Sequence, residues 1–138
     1  MTHITEHSIE KFAIELLEKL GYEYLYAPDI APDGNAPERD SYSQVLLLGR
    51  LRKAIKRIND HLSHDIQEHA LKEIQRIASP DLVANNKAFH KYLTEGVPVS
   101  KNVEGYERGD RLWLIDFEHP ENNDFLVANQ FTVVENNN

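Results

Sequence analysis

An enzyme that cuts phosphodiesters needs carboxylates converging on a divalent ion, with a lysine or a water as proton partner. Three acids here stand in suitable surroundings. Glu10 flanks the apolar face of an N-terminal helical pattern, Asp116 interrupts "LWLIDF", and Asp124 opens "DFLVANQF". Mg2+ asks for oxygen ligands in near-octahedral array. No acid–x–acid pair with a nearby lysine lies on any strand-like run, and Glu118 is followed by His119 and Pro120 instead. Taken alone, these acids read as caps, turn formers or ion-pair partners.

Other constellations are weaker. His61, His64 and His69 lie near Asp65 and Glu68. A helical zinc pair prefers i, i+4, whereas His64 and His69 are five apart and His61 precedes the helix start. A solvated polar helix face is the simpler reading. "RGD" at 108–110 reads as a turn between two strands, with Gly109 supplying a positive φ, rather than as an adhesion signal. "GRLRKAIKR" is the one basic cluster, five basic residues within eight positions. Arg50, Lys53, Lys56 and Arg57 fall opposite or beside the apolar face of Leu51, Ala54, Ile55 and Ile58. They could contact phosphates or pair with nearby acids, and the acidic balance of the chain favours pairing. Asn129 and Gln130 interrupt the last apolar run. Strand alternation expects them on opposite faces, bonded to a neighbouring segment or to nucleic acid.

Composition sets the outer limits. The 138 residues suit one compact domain, and 41% hydrophobic content supplies a modest core. The formal charge of −8 lacks the basic footprint of a free-standing nucleic-acid module. Any DNA role must come from a local patch or from a larger protein. No apolar run approaches the roughly 18 residues of a membrane helix, and "MTHITEHSIEKF" has no signal-peptide h-region. Zero cysteines exclude disulfides and thiolate metal sites. The expectation is a cytoplasmic protein with no membrane span.

The elements that position these groups follow from periodicity. Ile9, Phe12, Ala13, Leu16, Leu17 and Leu20 share one helical face, with Thr5 or Ser8 as cap and Gly21 at the C-terminus. "YEYLY" alternates as a short strand, and "APDIAPDGNAPERD" is a loop broken by prolines and a glycine. Ser41 and Gln44 have capping-box spacing ahead of a helix with Leu47, Leu48, Leu51, Ala54, Ile55 and Ile58 inward. A third helix starts near Ser63, with Ile66, Ala70, Ile74 and Ile77 inward. Ser79 and Pro80 read as N-cap and first position of a fourth, which Gly96 ends. Short β-rich runs follow, of which "RLWLIDF" and "DFLVANQFTVV" are the best strands. The order predicts a single α+β unit, about four helices packed on a sheet built last.

At the level of whole segments the chain resembles the N-terminal endonuclease region of the restriction (R) subunit of type I restriction-modification enzymes, which has a PD-(D/E)xK nuclease-like core. The first helix with "LGY", then "RDSYSQVLLLGRLRKAIKRIN", "ALKEI", "LVANNKAFHKYLTEGVPV" and "IDFEHPENNDFLVANQFTV" carry the likeness. It spans nearly the whole chain, and "FEHPENNDFLVANQF" is its most specific stretch. The resemblance implies a partial sheet of restriction-endonuclease-like type, C-terminally truncated. In that family the catalytic Asp and the Glu-x-Lys pair lie on strands after the "NQF" region, and these are absent from the 138 residues.

The resemblance also implies an active-site glutamate on the first helix, which Glu10 matches best as catalytic and metal-binding residue; Glu15, a turn further along, is the weaker match. The full protein would be an ATP-dependent DNA translocase and nuclease that cuts unmodified DNA with Mg2+, beside modification and specificity subunits. ATP would sit in motor domains outside this chain, which has no G-x-x-x-x-G-K-[ST] loop. The fragment alone is expected not to cut DNA, and to leave an exposed edge or apolar patch over residues 125–134 that dimerisation would mask. Two other readings stand beside this. One is a binding or scaffold domain that docks DNA or partner subunits through the basic helix at 50–57. The other is a small enzyme built on the histidine cluster.

Overall fold

The computed structural model describes residues 4–78 and 83–134. Where the sequence reads as one continuous α+β unit, the chain divides into two compact units. One comprises the residues up to Tyr42 with Phe125–Val134, and the other is Ser43–Asp124. Among the described residues there are five α-helices and four strands, the strands forming two separate two-stranded sheets. The α+β class holds, and the single sheet expected is replaced by these two.

The first unit begins with helix α1, Glu6–Lys19, whose N-cap Thr5 accepts from the backbone N–H of Ser8 at 3.1 Å. Strand β1, Glu23–Tyr26, follows where "YEYLY" alternates. It pairs in parallel with β4, Leu126–Asn129, in the register Glu23 with Leu126 and Tyr26 with Asn129. The run expected as one strand through Val134 thus stops at Asn129. The loop after β1 contains a short helix, α2, Ala27–Ile30, with Pro28 in its first turn. Ala27, Ile30 and Ala31 are buried and give the loop an apolar anchor. Arg39 is 3% exposed. Its Nη2 donates to the carbonyls of Tyr42 at 2.9 Å and Thr132 at 2.8 Å, and its guanidinium lies 4.1 Å from the Phe131 ring centroid. Burial pushes its pKa down, only partly offset by Tyr42.

Helix α1 turns an unexpected side to its neighbours. Glu10, Ile14 and Leu17 are half-buried, and the helix packs beside β1 and β4. Of the face expected inward, Ile9, Phe12, Leu16 and Leu20 are 59%, 67%, 50% and 71% exposed. At about 100° per residue the two sets occupy adjacent arcs of one wide apolar surface. Periodicity finds that surface but does not say which part of it packs.

The second unit has a closed core. Helices α3 (Leu48–Ile58), α4 (His64–Ile77) and α5 (Val83–Glu95) precede the antiparallel strands β2 (Val97–Val103) and β3 (Tyr106–Leu112). Ile55, Leu62, Ala70, Leu71, Ile74, Val97, Leu112 and Leu114 pack together, with Leu48, Leu51, Phe89 and Leu93 against them. Helix α4 starts beside Ser63 as expected, and Ser63 caps it by accepting from Ile66 N–H. Helix α3 starts at Leu48, later than the capping box implies, and Gln44 Nε2 donates instead to the Leu46 carbonyl at 2.7 Å. The expected cap at Ser79 and Pro80 lies outside the described residues. Gly96 ends α5 at φ +81, where a side chain would crowd the Leu112 carbonyl.

Two strand expectations change for local reasons. The hairpin turn falls at Glu104 and Gly105, both with positive φ (53° and 85°), and not at "RGD". Gly109 lies within β3 opposite Ser100. "RLWLIDF" is a strand only to Leu112, because buried Asn59 captures both backbone groups of the next residue. Its Oδ1 accepts from Trp113 N–H at 2.7 Å and its Nδ2 donates to the Trp113 carbonyl at 2.8 Å.

Candidate functional site

Glu10 projects from the second turn of α1, Tyr24 stands on β1, and Asn129 ends β4. Asn129 Nδ2 donates to Glu10 Oε1, and Gln130 Nε2 donates to Glu10 Oε2 at 2.9 Å. Tyr24 Oη donates to Asn129 Oδ1 at 2.7 Å, which orients the amide so that its N–H2 faces the carboxylate. Strand alternation places Asn129 and Gln130 on opposite faces, and the structure overturns this. Gln130 sits at φ +57, in the left-handed region that ends the strand. That turn swings the second amide back to the same side, so both grip one carboxylate. Glu15 faces solvent on the polar side of α1.

Mg2+ takes about six oxygen ligands, and here one carboxylate stands among two amides and a phenol, each of its oxygens accepting a hydrogen bond. The described residues alone do not fit a Mg2+ site. Among them no three His, Cys, Asp or Glu side chains gather to hold a metal ion. His61 Nε2 lies 3.7 Å from Asp110, which Lys101 engages at 2.9 Å, away from any joint site with His64 and His69. The Lys101 ammonium and the Arg111 N–H hold the Asp110 carboxyl below its ordinary range.

The remaining acids are structural, as their isolated positions predict. Asp124 pairs with Arg50 at 3.1 Å. Asp116 is the hub of a turn. Its carboxylate accepts from Asn122 Nδ2 at 3.0 Å and from the backbone N–H groups of His119 at 2.9 Å and Glu118 at 3.1 Å. Those donors hold its pKa down. The turn borders a hollow of about 390 Å³ lined by Ile58, Trp113, Ile115 and Phe117.

The basic helix divides by residue type. Arg50 is held by Asp124, Arg52 by Glu68 at 2.8 Å, and Arg57 Nε donates to the Asn122 carbonyl at 2.6 Å. Lys53 and Lys56 are exposed one turn apart on α3 and form no ion pair among the described residues. Pairing with nearby groups therefore accounts for the arginines and leaves the lysines facing outward. Sequence reasoning missed Tyr24, Arg39 and Asn59. An asparagine after a helical pattern signals a cap, but nothing local signals a partner 54 positions away.

An α+β chain with a carboxylate clamped at a strand end and a basic helix can be placed by comparison. Residues 3–138 match the family model described as "Type I restriction enzyme R protein N terminus (HSDR_N)". The chain is 37% identical over 128 residues to the "Putative type I restriction enzyme MjaIXP endonuclease subunit" of Methanocaldococcus jannaschii, covering 93% of this chain and 12% of that protein. It is 31% identical over 130 residues to the "Type I restriction enzyme HindI endonuclease subunit" of Haemophilus influenzae, covering 94% of this chain and 12% of that one. The protein belongs to the family of type I restriction enzyme R-protein N-terminal regions. It spans about 12% of the length of these curated relatives. No solved structure matches it. No helix among the described residues is long and apolar enough to cross a membrane.

Proposed function

We propose that these residues are the framing and docking part of a type I restriction subunit, without a complete active site of their own. The observation that carries this reading is helix α3, whose arginines are tied to Asp124, Glu68 and Asn122 while Lys53 and Lys56 face outward. The pairs fix the helix, and two ammonium groups one turn apart suit DNA phosphates, which they would position without reading sequence. The test is Lys53→Glu with Lys56→Glu in the full-length subunit, with DNA affinity measured against salt. Loss of two phosphate contacts lowers the slope of log affinity on log salt by about 2. Unchanged affinity and slope contradict the reading. Loss of assembly with modification and specificity subunits at unchanged DNA binding moves the docking face to a protein partner.

A second reading concerns cleavage by the whole subunit, and the Glu10 clamp favours it. Two amides fix both carboxylate oxygens at the end of β4, the kind of preorganisation a metal-binding acid needs. On this reading Glu10 is one acid of a Mg2+-dependent, restriction-endonuclease-like site. The catalytic Asp, the Glu-x-Lys pair and the ATP-binding motor then lie in parts of the whole protein outside these residues. Glu10→Ala in the full-length subunit would abolish DNA cleavage and leave DNA binding and ATP hydrolysis intact. Equal loss of all three would mark Glu10 as a folding residue only.

A further inference from the structure

The hollow of about 390 Å³ beside the Asp116 turn joins an aromatic corner to a carboxylate rim. Trp113 and Phe117 meet edge to face, with ring centroids 6.5 Å apart and planes at 89°. Ile58 and Ile115, both half-buried, complete the apolar wall. A lone exposed phenylalanine needs no explanation. Here Phe117 is 58% exposed beside a tryptophan whose backbone N–H and carbonyl Asn59 both holds. The rim is equally fixed. Asn123 Oδ1 accepts from Asp116 N–H at 2.8 Å, and Asn123 Nδ2 donates to the Asp116 carbonyl at 2.9 Å. The Asp116 carboxylate accepts three bonds of the about four it can take. Glu118 lines the same hollow, and its carboxylate has no hydrogen bond or ion pair among the described residues. His119 Nδ1 lies 3.7 Å from Glu121.

We propose that this hollow seats an arginine side chain from a basic segment of another protein. The stem would lie against Ile58 and Ile115, with the guanidinium on the Trp113–Phe117 corner and paired with Glu118. This goes beyond the reading of Lys53 and Lys56, which concerns DNA. Charge and shape select the occupant. A guanidinium stacks on aromatic faces and binds carboxylates through a planar fork. Nucleic acid would bring phosphates against Asp116 and Glu118. A second copy of this chain would bring a net charge of −8 to an acidic rim. The volume lies at the lower end of small-ligand pockets, with room for one long side chain.

Trp113 is the only tryptophan in the chain, so its fluorescence reports on this corner alone. Capped Gly-Arg-Gly is titrated into the 138-residue protein up to about 10 mM. A saturable change in emission is expected. The same peptide with citrulline for arginine, alike in shape but uncharged, should give none. Glu118→Gln and Phe117→Ala should each raise the half-saturating concentration about fivefold. Glu18→Gln, the same change of charge on exposed α1, should leave it unchanged. No saturable change with the arginine peptide overturns the proposal, as does an equal response to citrulline or an unaltered midpoint in Glu118→Gln. A response to single-stranded oligonucleotide in place of the peptide also overturns it and makes the corner a base-stacking face. No DNA enters the peptide titration, so its outcome is separate from that for Lys53 and Lys56.

Discussion

Helices α1 and α4 are each 14 residues long, and each has a side-chain cap at its N-terminus. Their apolar residues meet different fates. Helix α4 buries Ala70, Leu71, Ile74 and Ile77, whereas α1 buries none. The same contrast runs through the units that hold them. The second unit closes around its own core, and its polar interior is satisfied by the three bonds of the Asn59 side chain. The first unit has a buried arginine and a two-stranded sheet, and the best-defined group on its surface is a carboxylate gripped by two amides. Local capping and periodicity make a helix in either setting. Whether the helix is finished depends on what the rest of the chain brings to it.

The largest expected effect that would break this comparison lies in the closed unit. Asn59→Leu leaves the Trp113 N–H, the Trp113 carbonyl and the Ile55 carbonyl without their side-chain partner, at a cost of about 3 kcal/mol. Denaturant unfolding checks this, and a loss well under 1 kcal/mol would mean that water replaces the side chain. In the first unit, Arg39→Ala removes charged donors from the Tyr42 and Thr132 carbonyls, costing about 2 kcal/mol. Faster proteolysis within residues 125–134 is the local readout. An unchanged cleavage pattern would separate that stretch from Arg39.

Smaller effects sharpen the contrast. Glu10→Gln keeps the shape but turns one acceptor into a donor facing the amides, at about 1 kcal/mol, seen as a lower Tm of the first unit. Acid acts mainly on the second unit. The folded-state pKa values of Asp116 and Asp110 are depressed. The stability they give is therefore present above the ordinary carboxylate value of about 4 and is lost as pH falls through the folded value. Asp116→Asn should flatten the acid limb of the stability profile below about pH 4 and lower stability near pH 7, because the contribution of the ionised carboxylate is then absent at every pH. An acid limb of the same steepness in the variant would put the titration elsewhere.

Much of the second unit is legible in the sequence because its signals are local. Ser63 caps α4, Ile66 to Ile77 follow a helical period, and Gly96 takes the left-handed turn its position predicts. The first unit is hard to read because its contacts are distant. Strand β1 pairs with β4 about a hundred residues later, a non-local pairing no window of sequence contains. The wide apolar arc of α1 could be identified, but its packed side could not. The candidate site was half visible. Glu10, Asn129 and Gln130 each stood out, whereas their meeting depends on one left-handed residue at 130. The Asp116 turn carries a readable signal in "DFEHPENN", an aspartate followed by proline and asparagines, the composition of a side-chain-closed turn.

On the proposed function these residues frame and dock, supply Glu10 to a site completed elsewhere in the subunit, and do not cut by themselves. The direct test is a Mg2+-dependent plasmid cleavage assay on the 138-residue chain and on the full-length subunit assembled with its partners and ATP. Each is assayed with and without Glu10→Ala. Cleavage by the full-length protein alone, lost with Glu10→Ala, is the predicted result. Cleavage by the 138-residue chain itself would contradict the account and return Asp116, Asp124 and the histidines to the list of candidate catalysts.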